Sequence, residues 1–175
     1  MRKIISINLL LLPILFFSQV IIGPGKTMVT NNSVSLEFGD TENKGIVLPY
    51  VTSENDVTNA EDGTLILDTA DRKVKVKANG NWENLSNAAE TTNAIDTSIQ
   101  NNTDLASAKV SIGTSSTPAE GILVLEDTDK AMILPRVAEP HKNIINPAAG
   151  MMVYDTTNKM LVVFNGTQWS FWKED

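Results

Sequence analysis

Covalent or metal chemistry needs a nucleophile, a base or a set of ligands brought together, and this sequence is short of all three. Its one histidine, His141, follows Pro140 in a loop, and there is no cysteine. A zinc site, or a Ser/His or Cys/His pair, would have to rest on that single residue. A solvated loop histidine is by far the simpler account of it. Asp40, Glu42 and Asn43 ahead of Gly45, and Asp127 with Asp129, place oxygen ligands at alternate positions. The EF-hand spacing is missing, and turns in which Asp bonds its own backbone explain both. Glu61 and Asp62, and Glu126 and Asp127, are adjacent carboxylates with nothing to set them across a cleft. The expectation is therefore no catalytic residue, no metal, no cofactor and no enzyme. Binding surfaces are the better search. Tyr50 and Trp172 have no aromatic counterpart elsewhere in the chain's repeat and are the candidate exposed binding aromatics.

The chain that must position these residues begins with Arg2 and Lys3, then an almost unbroken apolar run over 4–17, ending at Ser18 and Gln19. That is the layout of a secretory signal peptide, so residues 1–18 are expected to be removed and the protein to be secreted or held at the cell surface. The run is shorter than the ~20 residues a helix needs to cross a bilayer. No other stretch is apolar enough, so no membrane span is expected in the mature chain. Without cysteine, neither a disulfide nor a lipid-bearing cysteine can hold it. The balance of 14 basic to 21 acidic residues gives a net charge of −7, and losing Arg2 and Lys3 makes it more acidic. Nucleic acid and anionic lipid are thereby disfavoured as partners.

The rest of the chain says nearly the same thing twice. Residues 35–85 and 122–172 align at offsets of 86 or 87. Asp40 and Thr41 pair with Asp127 and Thr128, Leu48 and Pro49 with Leu134 and Pro135, Gly63 with Gly150, Asp68 and Thr69 with Asp155 and Thr156, and Trp82 with Trp169. Repetition of this kind duplicates a structural unit. Each copy reads as an alternating strand, a turn, a short apolar strand ending in Leu-Pro, an irregular loop, then strand, turn, strand, turn, strand. Asn79 with Gly80, and Asn165 with Gly166, signal tight turns. The fold class is mainly β: two small repeated β-hairpin modules, 19–84 and 110–175, joined by a short helical connector over 85–109. In that connector Leu85, Thr92, Ile99 and Ala106 fall on one heptad set, and Ala88, Ile95 and Asn102 on the other. A short coiled-coil bundle is one reading. A surface helix or a disordered linker is the other, since Thr and Asn are poor helix formers.

The run VSIGT from Val110, then LEDTDKAMILPRV, then NPAAGMMVYDTTNKMLVVFNGTQW, resembles a module of exported Bacteroidetes proteins with relatives in phage-tail-fibre-like segments. Copy two carries most of that pattern, with Ala131 in place of the usual turn glycine. Copy one is looser, with Tyr50 where copy two has Arg136. The resemblance implies an extracellular, fibre-like module and a homotrimer. The Asp-Thr turns also resemble the O-glycosylation motif of such proteins, at Thr69 and Thr156, although turn geometry alone explains them.

One difference between the copies points to self-association. Lys73, Lys75 and Lys77 of copy one become Met160, Val162 and Phe164 in copy two. A second apolar face on that strand, with Ile95 and Ile99 of the connector, forms the candidate association face, unless Phe171 and Trp172 cover it locally. The functional expectation is an exported, non-catalytic, structural or surface protein that is fibre-like and self-associating. The alternative is an extracellular module that binds a glycan, or a surface protein partner, through its exposed aromatics.

Overall fold

The structure, a computed structural model, describes residues 19–88, 94–100 and 109–173. The expected signal peptide at 1–18 and the connector positions Thr92, Asn102 and Ala106 lie outside the described residues. Copy one contains β1 (Val20–Ile22), β2 (Val34–Phe38), β3 (Ile46–Val47), β4 (Tyr50–Val51), β5 (Leu65–Asp68), β6 (Lys73–Ala78) and β7 (Asn81–Asn84). Copy two contains β8 (Val110–Ile112), β9 (Leu123–Leu125), β10 (Ala131–Ile133), β11 (Arg136–Val137), a one-turn helix α1 (Pro140–Asn143), β12 (Met151–Asp155), β13 (Met160–Phe164) and β14 (Trp169–Trp172). The mainly β class is as expected. Among the described residues no helical coiled-coil connector is evident, which corrects the expected helical connector. Among the described residues of 85–109 the only helical turn is the 3-10 turn Ser98–Gln100. The short polar side chains there bond nearby backbone instead, as when Asp96 accepts the Ser98 N–H at 2.9 Å.

The copies repeat the same pairings. In each, the first two strands run parallel, β1 with β2 and β8 with β9. In each, the strand after Leu-Pro runs parallel to the next long strand, β4 with β5 and β11 with β12. Two antiparallel ladders follow, β5–β6–β7 and β12–β13–β14. The turns match in detail. Asp68 Oδ1 accepts from the N–H of Ala70 and Asp71 at 3.0 and 3.3 Å, and Asp155 Oδ1 accepts from Thr157 and Asn158 at 2.8 and 3.2 Å. Arg72 and Lys159 close them with φ of 61° and 58°. The last turns differ. Asn79 and Gly80 both take positive φ in a two-residue hairpin. Asn165 is instead fully buried, and its Oδ1 accepts from Thr167 and Gln168 N–H, so the copy-two turn is longer.

The two copies do not fold apart. β3 of copy one pairs antiparallel with β12 of copy two, and β10 of copy two pairs parallel with β2 of copy one. The main core joins Leu48, Leu67 and Val74 to Met152 and Val163. Burying each such side chain contributes about 1.5–3 kcal/mol. A second cluster, Val137, Ile144, Val153 and Val162, belongs to copy two alone.

Candidate functional site

The sequence-derived association face lies largely inside the chain. Val162 has no exposed surface and sits among Val137, Ile144 and Val153, with Met160 packed beside it. Phe164 is half-buried against Trp169, the ring centroids 5.0 Å apart. The cover comes from Ile144, the residue after α1, and from Trp169 of β14. In copy one the same positions are polar yet hardly wetter. Lys75, the counterpart of Val162, is buried and pairs with Asp68 at 3.0 Å, Asp71 at 2.6 Å and Glu54. The three lysines therefore do not form one solvated face. Burial would lower the Lys75 pKa, but bonds to Asp71, Glu54 and Asp68 outweigh it and raise it above the ordinary value. For Asp68, burial works upward, and bonds from Glu54 N–H and Lys75 hold the carboxyl below its usual range. Lys77 lies over the Trp82 ring at 5.3 Å, where copy two has the Phe164–Trp169 pair.

Glu37 forms a second buried ionic cluster. It is fully buried, accepts from the N–H and Oγ1 of Thr30 at 2.7 and 2.6 Å, and meets Lys26 at 2.8 Å. Burial raises its pKa, yet the Lys26 and Thr30 bonds leave it lowered. Such arrangements hold charge inside a fold.

The aromatics are separated. Tyr50 is half-buried, donates to the Ala149 carbonyl at 2.8 Å, and lines a groove with Ile95, Ile99, Pro147 and Asn165. Burial, with the Asp96 charge, pushes its phenol upward. Trp172 is 46% exposed and donates from Nε1 to the Leu85 carbonyl, outside that groove. Ile95 packs on the main core, while Ile99 is exposed. Thr69 Oγ1 donates to the Val51 carbonyl at 2.9 Å, and Thr156 is half-buried in the matching turn. His141 is exposed and stands edge-on to Phe171. Among the described residues no group of three or more acidic or histidine side chains could hold a metal, and no helix is long and apolar enough to cross a membrane.

What the sequence reading missed is a set of strand edges. The exposed large apolar residues include Val47, Val110, Ile122 and Leu123, all on or beside short strands with one partner each. Leu36 in β2 has no exposed surface, whereas its repeat counterpart Leu123 in β9 is 45% exposed. The difference follows from pairing: β2 lies between β1 and β10, and among the described residues β9 pairs only with β8. Open edges with apolar side chains are templates for another strand. The signal in the sequence was the repeated Leu-Pro strand, which appears twice but was assigned to its own copy each time.

Residues 111–174 match the family model described as a phage tail like trimerisation region. The match spans almost all of copy two and its last ladder. No curated protein and no solved structure matches the chain. The match agrees with a structural, self-associating, fibre-like protein.

Proposed function

We propose that the chain is an exported structural protein that works as a homotrimer in a fibre-like or surface assembly, with copy two as the trimerising part. The observation that carries this reading is the match of 111–174 to a trimerisation region. Open apolar edges at Ile122 and Leu123 within the matched segment support it. The protein's role is architectural: its buried ionic clusters stabilise loops, and His141 serves no reaction. The apolar run at 4–17 carries the export part of the reading.

Co-expression of tagged and untagged chains tests the trimer. A trimer gives four species on native separation, distinguished by the number of tags each carries. Three species would indicate a dimer and two a monomer, and either overturns the reading.

A further inference from the structure

The two copies hold each other through an unequal exchange, and that inequality is informative. The Leu-Pro strand of copy one, β3, lies on the outer edge of β12, with Ile46 opposite Met152 and Val47 opposite Met151, and Leu48 N–H donating to the Gly150 carbonyl at 3.1 Å. The Leu-Pro strand of copy two, β10, lies instead on β2 of copy one. One repeat thus supplies its Leu-Pro strand to its neighbour's long ladder. The other supplies the equivalent strand to its neighbour's second strand. Both contacts are satisfied at once if repeats stand in a ring of three, each Leu-Pro strand lying between the long ladder of one neighbour and the second strand of the other. Copy one and copy two occupy two adjacent places of that ring.

The vacant third place predicts where the open edges should lie, and they lie there. The far edge of β10 pairs with no described strand, as does the far edge of β3. The outer edge of β5 at 63–65, counterpart of the stretch of β12 that β3 covers, carries no strand, because β4 pairs only at Leu67 and Asp68. The outer edge of β9 is open as well. Exposed Val47 and Leu123 sit on two of these edges, and Leu65 is half-exposed where its counterpart Met152 is 3% exposed.

Each chain carries two repeats and each ring needs three, so three chains are the smallest number that close every ring. Symmetric closure puts like with like. We propose that in the trimer, whose existence rests on the function proposed above, the exchange runs between chains. β10 of each chain lies between β12 of one neighbour and β9 of the other, and the copy-one repeats form a second ring in the same way. The occupant of the open edges is thus a second and third copy of this chain. Arg136 offers a further contact. It now bonds Asp40 Oδ2 of copy one at 2.9 Å, and the repeat counterpart of Asp40 is Asp127, which in the copy-two ring would belong to the next chain. Ala131 stands where copy one has Gly45, whose added Cβ would lie 2.6 Å from Met151 Cγ, 2.7 Å from Val153 Cγ1 and 3.0 Å from the Met152 carbonyl oxygen, so β10 must stand farther from β12 than β3 does.

The absence of native cysteine makes disulfide trapping a clean test. Repeat equivalence turns the observed Val47–Met151 pair into Ile133 opposite Met151 of the neighbouring chain. Paired residues on antiparallel strands have Cα separations within disulfide reach. The I133C/M151C variant, air-oxidised, should run on a non-reducing gel as a covalent trimer, and each single variant should not. V47C/M151C should fail to bridge within one chain in the trimeric fraction. Reduced samples of each variant, sized in solution, show whether it still assembles. A trimer by size that gives no I133C–M151C cross-link, or that bridges V47C to M151C within a chain, overturns the exchange and leaves the trimer standing. A parent chain that is monomeric by size overturns both.

Discussion

Replacing Lys75 by Val copies into copy one what copy two does with Val162. The Lys75 side chain is only 6% exposed and reaches Asp68, itself 3% exposed, at 3.0 Å. Removing one partner of a buried ion pair costs about 3–5 kcal/mol. Two features place this variant near the lower end. Asp68 keeps backbone N–H bonds from Glu54, Ala70 and Asp71 at 2.9, 3.0 and 3.3 Å. The other two carboxylates, on Glu54 and Asp71, are 32% and 36% exposed and can be solvated once the ammonium is gone. A loss of about 3 kcal/mol is therefore expected. Copy two shows the repair. There Asp155 has no cation among the partners described, and Asn158, counterpart of Asp71, donates from Nδ2 to Asp155 Oδ2 at 2.8 Å. K75V/D71N should regain about half of the loss, since it removes one stranded charge and supplies one donor to another. Urea unfolding at pH 7 and one fixed chain concentration measures both, because an assembling protein's apparent stability depends on concentration. A single variant as stable as the parent, or a double variant no better than the single, refutes the reasoning.

The exchange between copies is tightly fitted at Gly45, where an added Cβ would meet Met151 Cγ at 2.6 Å and Val153 Cγ1 at 2.7 Å. Gly45→Ala should cost about 1–3 kcal/mol through overpacking where β3 lies on β12 of the same chain, read as a lower urea midpoint; the exchanged trimer lacks that contact, so the full loss in a chain that sizes as a trimer would contradict the exchange. Asp155, like Asp68 and Glu37, has a pKa lowered below its ordinary value. Burial there works upward, but bonds from Asn158, Thr157 N–H and Glu139 N–H outweigh it. A lowered folded pKa stabilises above the unfolded value of about 4 and is lost as pH falls through the folded one. Stability should thus fall on acidification below about pH 4, and Asp155→Asn should flatten that decline in a pH series of thermal melts. An Asp155→Asn variant with an unchanged acid limb would remove Asp155 from the account.

The ladders were legible because they follow from local signals. Alternation, the Asp-Thr turns and the gapless repeat over 63–82 and 150–169 placed both hairpins along the chain. Alternation misled at Lys75. It assigns every second residue to one face, but it says nothing of what covers that face. The covering carboxylates include Glu54, which is remote in sequence, and Val162 is covered in turn by Ile144. The strand exchange was illegible for a different reason. β3 and β10 are two and three residues long, too short for periodicity to choose between two sheets, and only the tertiary structure gives each its partner. At the connector the weak heptad misdirected the reading, because Ile95 contributes to the main core instead of a helix seam.

The central claim is that copies of this chain complete one another, and the native mass tests it most directly. Sedimentation equilibrium of the purified chain across a wide concentration range should fit one species of three times the chain mass, where the intact chain is 19.0 kDa. A single-chain mass at the highest concentration, with the β-sheet signal intact, would contradict the account.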